Sequence, residues 1–133
     1  MRIPMTERVR QHKIVYPDGS TFPRDSKMLF KSEVVFYVLK AFAGKHTYGE
    51  IMEIFGDVRN GDETGRGYQN DCVMRVDDVP ENKKMRFNMD RPITSADGVV
   101  FVVNTNWGEP MPGDADSWGA FKDAANRAGY KVL

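Results

Sequence analysis

The side chains that could do chemistry in this chain are few, and their spacing limits what they offer. Cys72 is the single cysteine, and His12 and His46 are the only histidines. A reactive thiolate needs a base or a cation beside it. Here Cys72-Val73-Met74-Arg75-Val76 alternates weakly as a strand, where a free cysteine packs as a small hydrophobe. Zinc would require Cys72 and the histidines to converge from distant parts of the chain. Acidic clusters at Asp77, Asp78 and Glu81, and again at Asp114 and Asp116, offer oxygens for a hard cation. The second cluster lacks the later glutamate of a calcium loop, and Asp116 followed by Ser117 fits the start of a helix. Neither a GxSxG elbow nor another paired catalytic motif is present. The reading is a non-enzymatic protein with no catalytic residue, no metal and no cofactor.

Charge carries more information. The formal net charge is zero, yet residues 1–50 hold nine basic side chains against five acidic ones, and residues 51–133 hold ten against fourteen. Such asymmetry can mark a polyanion-facing end. Arg8, Arg10, Lys13, Lys27, Lys31 and Lys45 are the residues expected to meet DNA phosphates. Dedicated nucleic-acid binders usually carry a more basic total, so an ordinary solvated surface is the competing reading. A second charged stretch, Arg59-Asn60-Gly61-Asp62-Glu63-Thr64-Gly65-Arg66-Gly67, lies in a long loop expected over 57–70. Backbone N–H groups of glycine-rich turns can cradle an anion, with Arg59 and Arg66 assisting. The stretch has neither the spacing nor the lysine of a phosphate-binding loop. It reads as a loop with a partner-binding role open to it, its contacts being Arg59, Asp62, Glu63 and Arg66.

The elements that must position these residues begin after a polar arm over 1–11. Residues 12–16 read as a strand, Pro17-Asp18-Gly19-Ser20 as a turn, and Thr21-Phe22 as the returning strand. A helix is expected over 33–43 with Ser32 as its N-cap and Gly44 as a left-handed stop. It is apolar almost all round, so it should be central, although its valines leave a buried strand as the alternative. A second helix is expected over 48–55, because Thr47 and Glu50 have capping-box spacing. Alternation, weak over 72–76 and clearer over 85–89, predicts strands at both, with a turn at 80–84. The best strand is Val99-Val100-Phe101-Val102-Val103, whose continuous apolar run implies burial on both faces. A last helix from Ser117 places Trp118, Phe121, Ala124, Ala125 and Ala128 on one face, Gly129 ends it, and 130–133 returns as a strand. Trp107 and Trp118 are expected to pack together and pin this helix to the sheet.

This order is that of a single α+β domain with a helix pair and a mainly antiparallel sheet. The stretch from Thr47 to Gly56 resembles the supporting helix of winged helix-turn-helix proteins. The resemblance implies a recognition helix directly afterwards, and the only candidate is 68–74, flanked by acids that would repel phosphates. An αα corner in the core is the plainer reading. The segment 93–103 with Asn106-Trp107-Gly108 and then residues 121–130 is similar to short terminal modules of uncharacterised bacterial and phage proteins. It implies such an origin and carries no site residue.

Two functions follow. One is a winged-helix-like, DNA-contacting protein of a bacterial or phage system. The other is a protein-interaction module or inhibitor that addresses a host complex through its acidic loops. The lone cysteine, the lack of a membrane-spanning run and the absence of an apolar leader lead us to expect a cytoplasmic protein off the membrane. The oligomeric state stays open.

Overall fold

The computed structural model describes residues 10–24, 27–61, 69–105, 107 and 117–133, with the side chains of 59–61, 69 and 70 outside the description. The hairpin near the start is as expected. Strand β1 (Ile14–Val15) pairs antiparallel with β2 (Thr21–Phe22), with Ile14 opposite Phe22. Before it, His12 bridges Leu29.

Helix α1 (Lys31–Ala43) is the centre of the molecule. Val34, Val35, Val38 and Leu39 are fully buried in it, and Phe36 and Phe42 nearly so. Its start differs from expectation. The residue before the helix is Phe30, not Ser32, and the Glu33 carboxylate accepts the Phe30 N–H at 2.8 Å. A glutamate at the third helical position reaches back to the cap residue's N–H without needing a capping hydroxyl there. At the other end Gly44 keeps a right-handed φ of −61°, so no left-handed stop is used. Instead Lys45 and His46 donate to the carbonyls of Phe42 and Ala43, and the chain turns directly into the next cap. There the capping box holds. Thr47 Oγ1 accepts the Glu50 N–H, and Glu50 accepts the Thr47 N–H, opening α2 (Tyr48–Phe55).

The loop expected over 57–70 is paired at both ends, forming strands β3 (Arg59–Gly61) and β4 (Gln69–Asp71), which run antiparallel. Strand β5 (Val73–Arg75) follows. The described part of the stretch read as a recognition-helix candidate is thus strand, because Val73 and Met74 pair with Val103 and Val102 on β7 (Val100–Val103). Strand β6 (Ile93–Thr94) pairs with the other edge of β7 across the Asp97-Gly98 turn, where Gly98 takes a φ of +85°. Residues 81–86 form a 3-10 segment. The strand expected at 85–89 is therefore reduced to one bridge between Phe87 and Asn104.

The apolar run of β7 is explained by two cores. Phe101 and Val103 face the main core under α1, while Val102 turns the other way and packs with Val79 and Phe87. Helix α3 (Ser117–Arg127) buries Trp118, Phe121, Ala124 and Ala125. Trp107 meets both Trp118 and Phe121, at 6.5 Å and 5.6 Å between ring centroids, as expected for a clamp on this helix. Gly129 then takes a φ of +96° and lets β8 (Lys131–Val132) return beside β1, opposite β2. The result is an α+β domain whose strand pairings are all antiparallel among the described residues. No helix among them is long and apolar enough to cross a membrane.

Candidate functional site

Cys72, His12 and His46 are engaged in packing. Cys72 is 1% exposed. Burial pushes its thiol far up from the ordinary range, with the Asp71 charge adding to the shift, so the nucleophilic thiolate is strongly disfavoured. His46 lies flat on Phe42, 3.8 Å between ring centroids, with Nδ1 2.9 Å from the Phe42 carbonyl. His12 packs against Trp118 at 5.0 Å, and its Nδ1 lies 3.2 Å from the Leu133 carbonyl. Burial lowers the His12 pKa first of all. The bond to Leu133 opposes this, and the charges of Lys31 and Lys122 push in the same direction as burial. Among the described residues no three of His, Cys, Asp and Glu gather closely enough to hold a metal ion.

The start of α1 gathers positive charge. The Arg10 guanidinium sits 4.5 Å from the centroid of Phe30, the residue before the helix. Lys31, in the first turn, holds its ammonium 5.5 Å from the Trp118 ring. Lys122 from α3 acts on the same histidine as Lys31. Lys27 is exposed two residues before Leu29, which pairs with His12. Lys13, half-buried, donates to the Pro23 carbonyl at 3.2 Å. Lys45 is exposed beyond the opposite end of α1, where its charge reaches Asp18 in the first hairpin turn. A thirteen-residue helix is roughly 20 Å long, so Lys45 stands apart from the others. Arg8, Asp62, Glu63 and Arg66 lie outside the described residues, and the Arg59 side chain is likewise outside them.

Two features escaped the sequence reading. Lys122 was hidden because only folding brings α3 beside His12. The run Lys83-Lys84-Met85-Arg86 was read as a turn passing into an alternating strand. It is a 3-10 segment that presents cations together with a 78% exposed Met85. A signal was available, since a lone methionine among three cations has no obvious inward partner.

A polar knot fixes α2 to the sheet. The Tyr48 N–H donates to the Asp97 carboxylate at 3.0 Å, Ser95 Oγ donates to the same oxygen, and the Arg75 guanidinium lies 5.3 Å from the Tyr48 ring centroid. The Ser95 hydroxyl first, and the Tyr48 N–H second, hold the Asp97 carboxyl below the usual range. This arrangement positions elements and offers no open coordination or reaction centre. Comparison of the chain with protein-family models, with curated proteins and with solved structures gave no match.

Proposed function

We propose that this chain is a non-enzymatic binding domain that contacts DNA through its phosphates. Arg10, Lys27 and Lys31 are the centre of the contact, with Arg8, Lys13 and Lys45 extending it. A cytoplasmic setting in a bacterium or its phage goes with this reading. One observation supports it: Arg10, Lys31 and Lys122, from three separate parts of the chain, gather around the start of α1. The roughly 20 Å from there to Lys45 spans about six base-pair steps of a duplex, given 3.4 Å per step on each strand. With strands where a recognition helix would follow α2, the contact is phosphate-directed and indifferent to sequence.

Light scattering after size exclusion, with a generic duplex, tests the proposal. A mass shift is expected at low salt and should fade as salt rises, each neutralised phosphate adding about 0.9 to the log–log slope. Lys31→Glu combined with Lys122→Glu should lower that slope by about two. Absence of binding at about 50 mM salt, or binding insensitive to salt, would overturn the reading.

A further inference from the structure

His12 stands where separate parts of the chain meet. Its backbone pairs with Leu29 just ahead of α1, accepting the Leu29 N–H at 2.7 Å and giving its own N–H to the Leu29 carbonyl at 3.2 Å. Its ring packs on Trp118 in the first turn of α3, 5.0 Å between centroids. Nδ1 lies 3.2 Å from the carbonyl of Leu133, the residue after β8. Lys13, next in the chain, exchanges both backbone bonds with Leu133, at 2.8 Å and 3.4 Å. One imidazole thus ties the start of α3 and the return of the last strand to the segment that enters α1.

The other ring nitrogen is what makes this junction sensitive to a proton. Nε2 is buried and has no hydrogen-bond partner among the described residues. With Nδ1–H donating to Leu133, Nε2 of the neutral ring is a bare lone pair. Proton uptake turns it into a charged donor held away from water. Burying a charged donor without an acceptor costs far more than burying a neutral lone pair. The surrounding charges point the same way. Lys31 from α1 and Lys122 from α3 act on the ring, with Arg10 and Lys13 beside it in the chain and Lys27 two residues before Leu29. Asp123 on α3 and Lys131 on β8 are exposed, and the strand end meets the ring through a carbonyl. An imidazolium would gain a stronger bond to Leu133 and attraction to the indole face. That face already carries the Lys31 ammonium at 5.5 Å, and burial is the larger effect.

We infer that His12 is a pH-sensitive catch. Neutral, its ring holds the first turn of α3 to the junction with Leu29 and Leu133; on taking up a proton, it turns Nε2 out to water and leaves Trp118. The unfolded chain binds this proton more readily than the folded one. The stability the catch contributes is therefore full above the ordinary histidine value of 6.5 and is lost as pH falls through the lower folded value. The catch borders the proposed phosphate contact, because Lys31 and Lys122 belong to both. It is read on the free protein without DNA, so the two proposals fail separately.

Proton–carbon NMR of the histidine rings, on the full chain across about pH 5 to 8, tests it. The His12 ring protons should titrate below the value the same residue shows in the urea-unfolded protein. The ring-current shift that Trp118 imposes on them should vanish with the same midpoint, and the Trp118 indole N–H resonance should move with it. In urea titrations the unfolding midpoint should drop between about pH 7.5 and pH 5.5. His12→Phe keeps an aromatic ring on Trp118 without a place for the proton, and it should remove most of that drop. Titration of His12 at or above its unfolded value would overturn the inference. So would a titration that leaves the Trp118 resonances in place, or a drop as large in His12→Phe as in the parent chain. The NMR arm needs no variant, so it decides the inference even where His12→Phe fails to fold.

Discussion

At the scale of single residues, burial decides which groups stay chemically quiet. Cys72 sits between Asp71 and Val73, its N–H given to the Val58 carbonyl at 2.9 Å and its own carbonyl accepting from Asn104 at 2.8 Å. Both backbone groups are satisfied, and the thiol has no water to ionise into. Reaction with a thiol-specific aromatic disulfide should therefore be slow in the native protein. It should become complete within seconds after unfolding in urea, which absorbance will follow. Rapid reaction of the native chain would mean that the strand around Cys72 opens locally. Arg91 shows the reverse case. Its exposed guanidinium lies 3.9 Å from the centroid of the Phe36 ring, which restricts it.

Elements here are held by their ends as much as by their faces. Helix α2 has eight residues, too short to persist alone in water. Its capping box, and the Asp97 carboxylate on the Tyr48 N–H, satisfy donors that the helix cannot satisfy internally. Thr47→Ala should lower unfolding free energy by about 1 kcal/mol in urea titrations, with the slope of the transition unchanged. Glu50 contributes through the same box. Its carboxyl is held below the ordinary range first by the Thr47 backbone bond, so what it contributes is present above the unfolded-state pKa and fades as pH falls through the folded one. The connection from α3 to β8 relies on Gly129. Its φ of +96° is left-handed, and an added Cβ would come within 3.3 Å of the Pro17 ring.

Across the whole molecule, β7 is the element that joins the two cores. Phe101 is fully buried and lies 5.6 Å from Tyr48, while its strand neighbour Val102 closes the smaller core over Val79 and Phe87. Phe101→Ala should destabilise by about 3–5 kcal/mol through lost transfer energy and the cavity left behind. That is a large share of a typical domain's stability, roughly 5–15 kcal/mol. Denaturant titration would check it, and a loss below about 1 kcal/mol would mean that α1 and α2 collapse into the space. The smaller core also anchors the segment that carries Met85 and Arg91, through Phe87 and Met89.

Much of this architecture was readable residue by residue where the deciding interactions are local. The capping box at Thr47 and Glu50, the turns at Gly19 and Gly98, the glycine after α3 and the apolar period of α3 each act within a few positions, so the sequence alone determined them. The start of α1 was misread because a glutamate can serve a cap residue that has no hydroxyl. The ends of the long loop became strands because β3 and β4 find each other, a pairing between distant positions that no local period announces. At 85–89 an alternating pattern yielded to a 3-10 turn, since only Phe87 had a strand to bridge. The candidate sites follow the same division. The charge asymmetry belonged to the sequence. The gathering of Arg10 and Lys31 with Lys122, and the junction of His12 with Trp118 and Leu133, were decided by tertiary packing, because electrostatics depends on distance in space rather than along the chain.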